Sequence, residues 1–87
     1  NKKEQIKKIK KLENFAKKSG QTQIFMETPY RNNKLLDTLI KVCGSNTMLC
    51  VATNLTQDKE SIISKNISEW KTLKINIDKQ PSIFLIS

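Results

Sequence analysis

QIFMETPYRNN, residues 23–33, joins a short apolar run to the start of a helix. An apolar run of this length between polar flanks is typical of a buried strand, Gln23–Met26. Thr28 is a good N-cap, and Pro29 suits the first helical position, where its missing N–H costs nothing. The stretch therefore predicts a strand that turns almost directly into a helix.

Three polar side chains, Glu27, Tyr30 and Arg31, would then lie at the carboxyl end of that strand, beside a helix N-terminus. Open α/β sheets bind their ligands at this place. Two interpretations stay open from the pattern alone. The cluster either forms one wall of a binding site, or it is a strand–helix junction whose polar groups only cap and solvate themselves.

Periodic apolar residues predict a helix on each side of this strand. The upstream helix ends at Gly20, a natural C-terminal glycine, and its apolar stripe is Ile6, Ile9, Leu12, Phe15 and Ala16. The downstream helix starts at Pro29 and ends at Gly44, and its buried stripe is Leu35, Leu36, Leu39, Ile40 and Cys43.

Three further strands follow. Thr47–Thr53 is continuously apolar in its middle, so both of its faces should be covered, as in a sheet between helices. A loop at residues 54–58 leads to a third strand, Ser61–Lys65. After a polar connection without defined structure at residues 74–80, the last strand is Ser82–Ile86.

A short helix lies between the third and fourth strands. Asn66 is its predicted N-cap, with Glu69 three residues on as the capping-box partner. Ile67, Trp70 and Leu73 form its inward side. Because Trp70 shares this apolar stripe, we interpret it as a packing anchor rather than as a platform for stacking bases.

The element order α-β-α-β-β-α-β indicates an α/β fold on the border of α+β. We expect a mixed sheet of about four strands flanked by helices. The 87 residues are predicted to form a single small domain. Since the chain begins with Asn1 inside a lysine-rich helical pattern, we expect a domain of a longer protein.

Composition excludes most catalytic templates. There is no histidine, and glycine occurs at two positions only, so His-based triads and glycine-rich phosphate loops are absent from the sequence. Cys43 and Cys50 lie in apolar runs and are typical of reduced, buried thiols in a cytoplasmic protein, not of a disulfide or a metal site. No apolar run approaches the roughly 18 residues of a membrane-spanning helix. We expect no catalysis by this chain alone.

The net charge of +8 is uneven along the chain. Residues 1–18 hold eight lysines against two acids, Glu4 and Glu13. A basic segment can be an electrostatic footprint for RNA or DNA. Because lysine, isoleucine and asparagine are all abundant, as in proteins of AT-rich genomes, a simply solvated helix face is the alternative.

Four segments in order resemble the C-terminal lobe of the tetrapyrrole-methylase-like (class III) S-adenosylmethionine methyltransferases: TQIFMETPYRNNKLLDTLIKVC, TMLCVATNLT, SIISKNISEW and PSIFLI. The family's E-[ST]-P-[YH]-R signature stands here at residues 27–31, and its A-x-x-L-T element at residues 52–56. The most similar branch methylates the 2′-oxygen of a cytidine in small-subunit ribosomal RNA. That branch has an acidic residue where this chain has Asn54.

The resemblance implies a two-lobed α/β homodimer of the cytoplasm that takes part in rRNA processing. S-adenosylmethionine would bind between the lobes, and its glycine-rich loop belongs to an N-terminal lobe absent from this chain. The implied cofactor-binding residues are Met26, Ala52, Asn54, Leu55, Ile83 and Phe84. Glu27, Tyr30 and Arg31 would face the cleft and contact the substrate. No residue is an obvious catalytic base, and no metal or membrane is implied.

Two other functions stay open. The same fold methylates small molecules such as corrin or porphyrin precursors, although excess lysine argues mildly against such a substrate. A basic module could instead bind RNA or another protein without catalysis, and tight, salt-dependent RNA binding would be its signature.

Overall fold

The computed structural model describes residues 2–87, and the elements follow the predicted order α-β-α-β-β-α-β. They are α1 (Lys2–Ser19), β1 (Gln23–Phe25), a 3₁₀ turn (Pro29–Arg31), α2 (Asn32–Val42), β2 (Met48–Thr53), β3 (Ser61–Asn66), α3 (Ile67–Trp70) and β4 (Ser82–Ile86). The predicted bounds of the last strand are confirmed, and the other strands differ from prediction by one residue at one end.

The four strands form one sheet in the order β1-β4-β2-β3. Every pair is antiparallel, with Phe84 opposite both Phe25 and Val51, and Val51 opposite Ile63. The sheet is thus antiparallel throughout, where we expected a mixed one, and the fold lies on the α+β side of the predicted class. Because β1 and β2 are each antiparallel to β4 between them, they run in the same direction and end at the same edge.

The core lies on one face of this sheet. Alternate strand residues join the apolar side chains of the helices in a single cluster, and the strand contribution is Phe25, Leu49, Val51, Phe84 and Ile86. Trp70 is 1 % exposed in this core, and its Nε1 donates to the backbone oxygen of Leu49 at 2.8 Å. The interpretation of Trp70 as a packing anchor is confirmed.

The other face of the sheet, which we call the open face, is uncovered within residues 2–87. Ile24, Met26 and Ile62 are 61 %, 72 % and 59 % exposed there, and Cys50 and Leu85 are half-buried between them. None of the strand residues on this face is charged. The expectation that both faces of β2 are covered is therefore wrong for the described residues.

Helix α1 is held by a buried carboxylate as well as by its apolar stripe. Phe15, expected on the buried stripe, is 49 % exposed, while Glu13 is buried. Oε2 of Glu13 accepts hydrogen bonds from the backbone nitrogen of Gly44 at 2.7 Å and from Oγ1 of Thr47 at 2.5 Å. Positions two apart on a helix point to different sides, so burying Glu13 turns Phe15 outward.

Two helix ends are capped as predicted. Gly20 has a φ of +72° and donates to the backbone oxygen of Ala16, which ends α1. Asn66 and Glu69 form the predicted capping box at α3. Thr28 is an exception, because it precedes a 3₁₀ turn and its side chain makes no capping hydrogen bond.

Candidate functional site

All four strands have one end at the same edge of the sheet. β1 and β2 end there, and β3 and β4 begin there, since Thr53 is paired with both Ser61 and Ser82. We call this edge, residues 26–31, 53–57 and 79–83, the strand-end site. The two stretches that the sequence places after strand ends therefore lie at the same edge of the molecule.

Most of the residues implied in cofactor binding are brought to this edge. Ala52 is paired with Ile83, and Asn54 donates its backbone N–H to the oxygen of Pro81 at 2.9 Å. Phe84 is different, because its side chain is fully buried in the core and is closed to a ligand.

Two of the implied cofactor contacts are exposed apolar side chains. Met26 follows the end of β1 and is 72 % exposed, and Leu55 lies in the loop after β2, also exposed. Exposed apolar residues beside neutral polar groups suit a flat, uncharged ring better than a charged group.

The loop after β2 begins in left-handed backbone. Asn54 has a φ of 53° and Thr56 a φ of 64°. Asparagine is several-fold enriched in this region, whereas a β-branched residue there is an outlier. Asn54 is buried, and its Nδ2 donates to Oε1 of Gln80 at 2.8 Å. Strained positions of this kind cluster at functional sites and persist only where the surroundings hold them.

Asn54→Asp is expected to lower the free energy of unfolding by about 1–2 kcal/mol, because it removes the donor and sets a carboxylate against Oε1 of Gln80. Asn54→Gly, which removes the same donor but accepts the left-handed backbone freely, is expected to cost less. Urea unfolding of both variants measures the difference. Equal costs would contradict the repulsion between the new carboxylate and Oε1 of Gln80, as would follow if Gln80 turned its amide and gave up its bond to the backbone oxygen of Asn76.

The connection between α3 and β4 forms the third part of the site. Residues 74–80 have no regular secondary structure, as predicted, but two asparagines at the start of α2 hold them in place. Nδ2 of Asn32 donates to the backbone oxygens of Ile77 at 3.1 Å and Gln80 at 2.5 Å. Oδ1 of Asn33 accepts from the backbone nitrogen of Ile77 at 2.8 Å.

Two more hydrogen bonds join this connection to the start of α2 and to the 3₁₀ turn before it. Oδ1 of Asp78 accepts from the backbone nitrogen of Asn33 at 2.9 Å. Lys79 has a φ of 65° and donates its backbone N–H to the oxygen of Pro29 at 2.9 Å. The adjacent asparagines directly after the E-[ST]-P-[YH]-R signature were the available sequence signal, because an amide side chain can donate to and accept from backbone at once.

A line of neutral polar groups runs through the site. Thr53 Oγ1 lies 3.2 Å from Ser82 Oγ, and Ser82 Oγ donates to the backbone oxygen of Gln80 at 3.0 Å. Oδ1 of Asn32 is the one buried side-chain polar atom of the described residues without a hydrogen-bond partner. Hydroxyls and amides can bind and orient a polar ligand, but they offer no base near neutral pH.

The three residues implied in substrate contact do not line the same groove. Glu27 and Arg31 line one groove of about 410 Å³ on the helix side of the edge. Tyr30 is 76 % exposed and does not line it. A second depression lies on the loop side and is lined by Asn54, Gln57, Asp58, Lys59 and Gln80.

Metal and membrane sites were searched for in the described part of the chain. Among residues 2–87, no three histidine, cysteine, aspartate or glutamate side chains are placed to hold a metal ion. No described helix combines the length and apolar character needed to cross a bilayer. Cys43 and Cys50 are both free thiols.

Burial, reinforced by the neighbouring Glu13 carboxylate, raises the pKa of the Cys43 thiol from 9.0 to about 12. The folded chain therefore holds this proton more tightly than the unfolded chain. The resulting contribution to stability is fully present below pH 9 and is lost as the pH rises toward 12.

The free energy of unfolding is therefore expected to decrease more between about pH 8 and about pH 10.5 in the wild-type chain than in Cys43→Ala. Urea unfolding at the two pH values measures this difference, and the comparison with the variant isolates the contribution of Cys43. Identical pH dependence in the two proteins would contradict the raised pKa of Cys43.

No protein-family model matches this chain. No curated protein matches it with statistical significance either. A function for the chain is therefore a proposal that draws on the geometry of the strand-end site and on the signature residues within it.

Proposed function

We propose that this chain is the C-terminal lobe of an S-adenosylmethionine-dependent methyltransferase that acts on ribosomal RNA, at the 2′-oxygen of a cytidine. One observation carries the proposal. The two signature elements, residues 27–31 and 52–56, are far apart in sequence and lie at the same edge of the sheet. A chance resemblance of two short motifs would not require them to meet in space.

The chemistry of the edge suits one half of a cofactor pocket. Exposed Met26 and Leu55 offer apolar surface to an adenine ring. Methyl transfer from a sulfonium depends on positioning in a water-excluded cleft more than on a nucleophilic side chain. The proton of the acceptor hydroxyl must then leave to a group outside this chain.

Calorimetry of the full-length protein with S-adenosylmethionine tests the proposal. Leu55→Asp is expected to weaken binding about tenfold or more, because a carboxylate would replace apolar contact with the ring. Met48→Asp is the matched control, since Met48 is apolar and about as exposed as Leu55 (40 % against 38 %) but lies at the other end of β2. No heat of binding in the wild-type full-length protein would end the proposal.

The methyl acceptor needs a separate experiment. Labelled S-adenosylmethionine is supplied to ribosomal RNA from a strain that lacks the gene and, in parallel, to small molecules of a cell extract. Label in the RNA supports the rRNA-processing function, and label only in small molecules supports the corrin or porphyrin alternative. Sedimentation of the full-length protein tests the homodimer, and fractionation of cells tests the cytoplasmic location.

A further inference from the structure

Three cations from three segments line the groove on the helix side of the strand-end site. Lys2 comes from the start of α1, Arg31 from the 3₁₀ turn and Lys34 from the first turn of α2. Among the described residues, Glu27 is the one acid that lines the same groove. We call this groove, with its four charged residues, the basic groove. Its charged side chains sum to a net charge of +2.

The basic groove is also lined by buried residues of α2. Leu35 and Thr38 line it and are both buried, and Oγ1 of Thr38 donates to the backbone oxygen of Lys34 at 2.9 Å. Glu27 is half-buried, and its Oε1 accepts from the backbone nitrogen of Thr28 at 2.9 Å. The carboxylate is thereby directed to the backbone of its own turn, which leaves the positive charges to dominate the groove.

We propose that the basic groove binds one phosphate group of a single-stranded RNA backbone. Arg31 presents a planar fork that matches two phosphate oxygens, while Lys2 and Lys34 act as point charges. A groove of about 410 Å³ is large enough for a phosphate and its sugar. This proposal deepens the proposed function and rests on it, since it names a contact with the substrate RNA.

The surface beside the groove favours a polyanion over a free phosphate ion. Lys10 and Lys17 are exposed and lie within about 80° of Lys2 around the axis of α1, at about 3.6 residues per turn. Successive turns of a helix are about 5.4 Å apart, so these lysines form a basic track that a single small ion could not use. A chain of phosphates can contact the groove and the track together.

Salt-dependent binding of a single-stranded RNA oligonucleotide by the 87-residue chain tests the proposal. The logarithm of the affinity falls linearly with the logarithm of salt concentration, with a slope of about −0.7 per neutralised phosphate of a single strand. In Arg31→Gln/Lys34→Gln, the slope is expected to lose about 0.7 in magnitude between about 50 and about 200 mM salt, and affinity to fall about tenfold or more.

The matched control is Lys65→Gln/Lys71→Gln. It removes the same charge from β3, the edge strand opposite β1, and from the end of α3, which packs on β3. The control is expected to keep the wild-type slope. Equal losses in the two double variants would overturn the proposal, because they would reduce RNA binding to diffuse attraction by net charge. Absence of RNA binding by the wild-type chain would overturn it as well.

Two further arms complete the test. Glu27→Gln is expected to tighten RNA binding several-fold, because it removes the one negative charge of the groove. Weaker RNA binding by this variant would overturn the proposal.

Titration with inorganic phosphate, followed by the NMR shifts of the groove amides, separates the two sources of phosphate. Saturation of the groove by inorganic phosphate without RNA binding would leave a small-anion site instead. Cofactor binding is measured without RNA, so the two proposals fail separately.

Discussion

Trp70→Ala is expected to lower the free energy of unfolding by about 4 kcal/mol, which is comparable to the whole stability of a small domain. Trp70 is 1 % exposed and joins α3 to β2 through both packing and a hydrogen bond to the backbone of Leu49. Alanine leaves a large cavity in the core and removes the donor. Most of the variant is therefore expected to be unfolded at ordinary temperature.

Trp70→Phe separates the two contributions. It keeps an aromatic ring in the core but leaves the backbone oxygen of Leu49 without this donor, so a loss of about 1–3 kcal/mol is expected. Circular dichroism must follow the unfolding, because Trp70 is the only tryptophan and fluorescence is lost with it. A variant Trp70→Ala within about 1 kcal/mol of wild type would contradict the packing role.

Features set by neighbouring residues could be predicted from the sequence. The capping box of Asn66 and Glu69, the glycine end of α1 and the bounds of β4 each depend on residues within a few positions of one another. Apolar periodicity and cap residues carry that information directly. For the same reason the number and order of the elements are as predicted.

Features that depend on what lies opposite a residue could not be predicted. The apolar run of β2 predicted that both faces of this strand are covered. An apolar run shows that the side chains are suited to burial, but it does not show whether another element packs against each face. Met48 and Cys50 belong to the open face of the sheet, whereas Leu49 and Val51 lie in the core. The antiparallel pairing of every strand is likewise a property of the assembled sheet and not of any one run.

Long-range polar contacts were also beyond prediction. Glu13 reaches a turn 31 residues away, and Asn32 reaches a connection 45–48 residues away. A glutamate in a lysine-rich helix and an asparagine at a helix start are both ordinary surface residues by type. Only the fold shows that their partners are backbone groups that would otherwise be buried without hydrogen bonds.

The location of the candidate site was predictable for a reason that does not depend on a parallel sheet. We expected the site at strand ends by analogy with open α/β sheets. In this antiparallel sheet the ends of β1 and β2 still meet, because β4 separates them and makes them run in the same direction. The connection before β4, which completes the edge through Gln80, was not among the predicted site residues.

Asn32→Asp is expected to lower the free energy of unfolding by about 3 kcal/mol or more at neutral pH. Asn32 is fully buried, and its Nδ2 donates to the backbone oxygens of Ile77 and Gln80. A carboxylate would face two carbonyl oxygens without a donor. Asn32→Ala, which removes the donors without adding charge, is expected to cost about 2–3 kcal/mol.

The pH dependence of Asn32→Asp makes this prediction specific. Burial against two carbonyl oxygens favours the protonated carboxyl group and raises its pKa above the unfolded value. The protonated form also supplies one donor. The variant should therefore be most stable below the unfolded pKa of about 3.9 and lose stability as the pH rises through the higher folded pKa. Asn32→Ala should lack this recovery in acid when both are measured by urea unfolding.

Asn33→Ala is the matched control at the adjacent position. Asn33 is half-buried, so its loss is expected to cost about 1 kcal/mol and to add no new pH dependence. If Asn33→Ala proved as costly as Asn32→Ala, burial of the asparagine amide would not be the cause. Because Asn32 fixes the connection that carries Gln80, its replacement should also free Asn54, which amide hydrogen exchange at residues 54–57 would report.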